Sequence, residues 1–453
     1  MAPNRGRVWA ALGLVVVSAV VLYGAFRQAV QEVKEATTVN GFALPVAPGD
    51  RRRGQLAPKG VSLEAAEAVA RRISPDVFAG LPDAFLPDFK TPCWKVEGTG
   101  ELRCFPYFFL LGVFQCSVRD LFARINSHPQ VAPGAAPHFW DELHPAERYW
   151  GALKHALPAV EAAPGTAVFG DGSFSTFTYT WTGSERIHAE WTEEMARPDI
   201  RGYWSILAPD APSQRRCREK DCQGKAECAE HPETGCFVKA DAVGYGWEGI
   251  SQPWLIRQAL GGGNAHFVVL LRDPVERLHA AFWNYHHYRS KYGATEEGFT
   301  AFATEMTGHV RRCLESHTEV QCVTSFEAMG PSYENVYYHA DQVLKGMYST
   351  FMAGWLAAFP RETFLVLLQE DYVAPGGTKR ALEAVVQHLA LAEPDEAAWG
   401  AMMQEKRTLN ASPEQGARGE MSAITRDALR AFYAPYNNAL ARMLGDDRFR
   451  FGY

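Results

Sequence analysis

Phe109–Asp120 reads "FLLGVFQCSVRD", and this stretch decides the fold. With Tyr107 and Phe108 its apolar opening forms "YFFLLG", a continuous run that reads as a strand buried on both faces. Gly112 ends the run, a short loop follows, and residues 119–127 read as a helix. A strand passing through such a loop into a helix aims backbone N–H groups and a helix N-terminus at one point, which suits an anion. Loops of this kind usually add a lysine and a hydroxyl. Here Gln115 and Val118 stand in those places.

Working outward, the same rhythm repeats. "TAVFGD" (166–171), "HFVVLLRD" (266–273) and "TFLVLLQED" (363–371) are further short apolar runs. Helical text lies between and after them: "PVERLHAAFWNYHHYRSKY", then about 340–359, 378–405 and 421–444. Strands without alternation, separated by helices, specify an α/β fold with a parallel sheet covered by helices on both faces. Ligands of such sheets sit beyond the carboxyl ends of the strands. The loop after Leu111 and the "RDPVER" turn after Leu271 are therefore two candidate halves of one site. Residues 183–245 break the rhythm and hold Cys217, Cys222, Cys228 and Cys236, which reads as a disulfide-stapled insertion. With no CxxC pair among them, a zinc site is not favoured.

The ends of the chain suggest an address. Arg5 and Arg7 precede Val8–Phe26, an uncharged, mostly apolar run long enough to span ~30 Å of hydrocarbon. Positive charge on the short side predicts a cytosolic tail over 1–7, a membrane anchor over 8–26 and a lumenal body. Residues 27–90, with "PGDRRRGQLAPKG", read as a stem, and 91–453 as the lumenal domain. Nine cysteines in local groups, Cys93 with Cys104 among them, agree with an oxidising compartment. A net charge of -7 argues against nucleic acid as a partner. "NAS" at Asn410 is a lone glycosylation sequon.

"HFVVLLRDPVERLHAAFWNY" resembles the 3'-phosphate-binding segment of Golgi carbohydrate sulfotransferases, and "FPYFFLLGVFQCSVRDLFARINSHPQV" their 5'-phosphosulfate loop. "PHFW" (137–140), "LKGMYSTFMAGWLAAFPRETFLVLLQEDY" and "ITRDALRAFYAPYNNALARML" resemble later elements of the family, over roughly 93–183 and 247–453 in all. Within it the similarity points to the N-acetylgalactosamine 4-sulfate 6-O-sulfotransferase branch. The resemblance implies a P-loop-like α/β domain and a single-pass type II Golgi membrane protein. It also implies 3'-phosphoadenylyl sulfate (PAPS, leaving as PAP) as sulfuryl donor, a glycan acceptor and no metal.

Residue by residue the match is uneven. Arg272 falls on the arginine that holds the 3'-phosphate, and Ala280 on its serine partner. Gln115 takes the place of the loop lysine, Ser117 of the following glycine and Val118 of a threonine; Gly112 and Cys116 complete the loop. Arg119 sits where some heparan sulfate members have arginine, and Ala136 where the family has its glutamate base. Four functional side chains are thus missing. His138 is the first candidate for a replacement base, with Asp141, Glu142 and His144 nearby. Arg119 is the candidate for the lysine's charge, with Gln115 able to donate hydrogen bonds. Arg418, in the late loop 406–421, is a candidate phosphate contact. Two readings follow: a divergent but active sulfotransferase, or a catalytically impaired descendant that binds glycan or a partner. Arg289, Lys291, Arg311 and Arg312 either face an acidic acceptor or form a solvated helix face. A glycosyltransferase is disfavoured, because "GDGS" (170–173) and Asp446–Asp447 lack the acidic DxD pattern.

Overall fold

The computed structural model describes residues 78, 80–141, 146–178, 252–262, 265–315, 319, 323, 341–404 and 419–453. The expected tail over 1–7, the expected anchor over 8–26, the expected insertion over 183–245, Asn410 and Arg418 lie outside them. No helix among the described residues is long and apolar enough to cross a membrane.

Among the described residues the first elements are β1 (Cys93–Lys95) and β2 (Leu102–Cys104), an antiparallel pair in which Cys93 faces Cys104 and is disulfide-bonded to it. Composition assigns residues up to 90 to the stem, yet Phe78 is buried, and the Phe85 ring packs 5.9 Å from Trp94 and 6.3 Å from Phe105. Apolar residues scattered in a polar, proline-containing stretch still bury when a hairpin offers them a surface.

β3 (Phe108–Gly112) is buried at every residue and leads into α1 (Val118–Ile125). After α2 (Ala146–Leu153) comes β4, only Gly170–Asp171, instead of a strand over 166–171. An isolated parallel bridge, Val131↔Val168, takes up the rest. α3 (Gln252–Ala259) precedes β5 (His266–Leu271), which opens into α4 (Pro274–Asn284). α4 stops because Tyr285 is extended (φ -88, ψ 117), and α5 (His286–Tyr292) and α6 (Glu296–Leu314) follow.

The helix expected over 340–359 is also divided, into Asp341–Leu344 and α7 (Tyr348–Ala358). Between them Gly346 lies so close to Tyr433 that a Cβ would sit 2.7 Å from its ring. β6 (Phe364–Leu368) is the last strand. The text over 378–405 makes α8 (Gly377–His388) and α9 (Glu396–Met403), because Asp395 caps α9 by accepting the Ala398 N–H at 2.8 Å. α10 (Ala423–Leu444) closes the domain.

The sheet order is β4-β3-β5-β6, with every pairing parallel. Helices cover it in two groups: α1 packs with α8 and α9, while α10 packs with α4, α6 and α7. Phe267 on β5 stacks on Phe109 of β3 at 5.6 Å and Phe364 of β6 at 4.8 Å, tying three strands through one row of rings. The chain leaves β3 toward β4 on one side and returns to β5 on the other. A crevice therefore opens beyond the ends of β3 and β5. Register pairs Gly112 with Leu270, so the loop after β3 and the turn after β5 start side by side.

Candidate functional site

Gly112 is required by that adjacency. A Cβ there would lie 2.7 Å from the Leu270 carbonyl oxygen and 2.9 Å from Val118 Cγ2. Beyond it the loop turns twice through left-handed conformations, at Gln115 (φ 70) and Ser117 (φ 62), the second serving as N-cap of α1. Each costs a non-glycine residue roughly 1–2 kcal/mol. Such strain concentrates at binding loops, where it lets successive N–H groups converge on an anion.

The loop's side chains contribute unequally. Cys116 is 1% exposed, and burial pushes its thiol up to about 12. Val118 is 4% exposed and packed against Gly112. Neither is a side-chain ligand; both can act only through backbone. Gln115 differs: its amide Nε2 is buried and hydrogen-bonded to nothing among the described residues. A buried donor without an acceptor costs about 1–3 kcal/mol, so it marks a place where an acceptor belongs.

Arg272 closes the other side. Its Nη1 donates to the Gln115 carbonyl at 3.2 Å, joining the turn after β5 to the loop after β3. The Tyr348 hydroxyl donates to the Arg272 carbonyl at 2.8 Å, and Asp273 caps α4 by accepting the Val275 N–H at 2.8 Å. The Asp273 N–H donates to Glu370 at 2.9 Å, so the end of β6 also braces the turn. Ala280 is 1% exposed and offers no polar atom where the resemblance implies a serine.

The third wall comes from "PHFW" and the end of β4. His138 is left-handed (φ 52), and its N–H donates to Ser173 Oγ at 2.8 Å. Its Nδ1 lies 2.9 Å from Asp141 Oδ2 and 3.0 Å from Ser175 Oγ. Asp141, 4% exposed, also accepts from the hydroxyls of Ser175 and, at 3.3 Å, Thr176. Phe174 stands beside this group, with the His138 ring edge-on at 5.7 Å and the Arg119 guanidinium 5.9 Å from its centroid. Phe174 thus brings the start of α1 and the histidine to one place. Burial raises the carboxyl of Asp171, at the end of β4, to about 6, against the Ser173 N–H that it accepts at 2.8 Å.

Gly112, Gln115, Ser117, Arg119, Arg272 and His138 therefore line three neighbouring strand ends. Asp141 turns out to be the partner of His138 and buried, while Glu142, His144 and Arg418 lie outside the described residues. Sequence reasoning missed Ser173, Ser175 and Thr176. Their signal was a run of hydroxyls, "GDGSFSTFT", directly after a strand. In the basic cluster, Lys291 pairs with Glu305 at 3.2 Å and Arg311 sits 5.6 Å from the Phe432 ring, which favours a helix face. Among the described residues no group of three or more His, Cys, Asp or Glu is placed to hold a metal ion.

Comparison with known proteins adds an independent line. Carbohydrate sulfotransferase 15 of Rattus norvegicus is 24% identical over 433 residues, covering 82% of this chain and 67% of its own length. The protein of the same name from Homo sapiens is 23% identical over the same shares. The chain is thus similar over most of its length to carbohydrate sulfotransferases. No family model matches it. A sulfotransferase structure from Alicyclobacillus acidocaldarius aligns with 76% of this chain and 99% of its own at 15% identity, with a TM-score of 0.39, too loose to carry an argument. Of the residues that carry the resemblance, Gly112 and Arg272 stand at adjacent strand ends, and the loop between β3 and α1 is left-handed at Gln115 and Ser117.

Proposed function

We propose that the chain transfers a sulfuryl group from PAPS to a hydroxyl of a glycan. The observation that carries this reading is the strained loop at Gln115 and Ser117, tied to Arg272 across the mouth of the sheet. The residues present fit a doubly phosphorylated nucleotide. Loop N–H groups and the N-terminus of α1 suit its 5' end, the orphaned Gln115 Nε2 supplies one donor, and Arg272 offers a guanidinium for the 3'-phosphate. PAPS supplies the activated sulfuryl group and the leaving phosphate. The chain's own work is to orient, to neutralise charge and to take a proton. Arg119 and Gln115 stabilise charge at the loop, and His138 Nε2 accepts the hydroxyl proton, since Nδ1 is engaged by Asp141 and Ser175. Without the loop lysine, transition-state stabilisation is weaker by ~3–4 kcal/mol, so slow turnover is expected. The same reading makes the chain a single-pass type II protein of the Golgi membrane, supported by the sequence pattern over 1–26.

The absent serine at Ala280 and lysine at Gln115 favour a second reading, a catalytically impaired protein that still binds glycan or a partner. One experiment separates them. Calorimetric titration with PAP, followed by transfer of radiolabelled sulfate from PAPS to chondroitin 4-sulfate and a glycan panel, should give binding and slow transfer. Binding without transfer to any acceptor favours the second reading, and no PAP binding sinks the first.

A further inference from the structure

We infer that Asp141 is a positioning residue for His138, holding the imidazole with its proton on Nδ1 so that Nε2 is the basic nitrogen. The inference rests on the sulfuryl-transfer reading for its role and on geometry for the pairing. Asp141 Oδ2 lies 2.9 Å from Nδ1, and the carboxylate is itself clamped by the hydroxyls of Ser175 and Thr176. An acid held from two sides cannot follow the ring if the ring turns; it fixes the ring instead. The backbone agrees. His138 is one of few non-glycine residues with positive φ, and the Ser173 hydroxyl holds its N–H at 2.8 Å. A strained histidine, anchored at backbone and ring, is a preorganised one.

Two other charged groups near the ring among the described residues are directed elsewhere. Asp171 directs its oxygens to the Ser173 N–H at 2.8 Å and the Tyr149 hydroxyl at 3.5 Å, and Arg119 lies against the Phe174 ring. In the transfer, the acceptor O–H proton moves to Nε2 as the O–S bond forms. The S–O bond to the phosphate breaks, and its electron pair leaves on the phosphate oxygen. The imidazolium so formed is balanced by Asp141, whose proton count does not change. The usual family position for the base is Ala136, two residues before His138, which has no proton to exchange.

The test uses the full-length chain with ¹⁵N-labelled histidine, His138 being assigned by its loss in His138→Gln. The neutral ring should show the Nδ1–H tautomer in the wild type, and a predominant Nε2–H tautomer there overturns the pairing whether or not any Asp141 variant folds. Asp141→Asn should lower kcat with chondroitin 4-sulfate by ~10²–10⁴-fold, by analogy with the wrong-tautomer effect, while PAP affinity stays within about twofold. In the His138→Gln background the same change should cost less than about threefold, because it acts through the ring. Independent, multiplying losses would overturn the positioning role. Absence of sulfate transfer by the wild type sinks the sulfuryl-transfer reading, whereas a misplaced ring proton sinks the pairing, so the two fail separately.

Discussion

Replacing Gln115 by lysine tests whether the loop is a sulfonucleotide site with one part missing. Gln115 and lysine are both non-glycine residues, so the cost of φ 70 is the same before and after and drops out of the comparison. Its Nε2 is buried with no acceptor among the described residues, a deficit of about 1–3 kcal/mol that a docked anion would relieve. An ammonium makes a charge-assisted bond about twice as strong as the amide's. Where charge builds on the leaving oxygen, a donor of this kind is worth ~3–4 kcal/mol, or a gain of about 10²–10³ in kcat. The apoprotein should suffer, because the new charge is partly buried close to Arg272, whose Nη1 is 3.2 Å from the residue-115 carbonyl. A loss of roughly 1–3 kcal/mol is expected there, recovered when PAP binds. Initial rates of labelled sulfate transfer to chondroitin 4-sulfate, with thermal melts with and without PAP, read both effects. A folded Gln115→Lys protein whose kcat does not rise and whose melt responds to PAP no more than the wild type's would refute the reasoning.

Gly112→Ala forces a Cβ to 2.7 Å from a backbone oxygen and should cost about 1–3 kcal/mol in urea unfolding; a change under ~0.5 kcal/mol would mean β3 and β5 are not that close. Asp171 is raised from 3.8 to about 6, so the folded state holds its proton more tightly than the unfolded chain. Its stabilising effect is full below the unfolded value and fades as pH climbs through 6. That amounts to about 1.4 kcal/mol lost between pH 5 and 7.5. Asp171→Asn should remove that part of the pH slope in urea melts at the two pH values, and an unchanged slope would clear Asp171 of the role. Reducing Cys93–Cys104, which closes a loop of sequence separation 11, should cost ~2–3 kcal/mol in a melt with reductant.

The strands were legible in the chain because each is a short apolar run with no alternation: Phe108–Gly112, His266–Leu271 and Phe364–Leu368 need only burial on both faces to be recognised. Helix interruptions were less so. Tyr285 and the cap at Asp395 break text that is helical in propensity throughout, since caps and packing override a summed preference. Gly112 and Arg272 could be picked out from their positions after strands.

What local sequence could not supply was the company each residue keeps. The motif leaves Gln115, Val118 and Ala280 looking alike, as three absences. Tertiary packing separates a buried amide with no acceptor among the described residues from two side chains sealed in the core. Likewise His138, Asp141 and Ser175 come from two segments, and the parallel bridge Ala135↔Asp171 lays those segments side by side so that Ser175 meets the ring. Periodicity in a chain reports which faces meet solvent, and so it determines the layers. Hydrogen bonds between distant segments depend on register and side-chain direction, which exist only once those layers have packed.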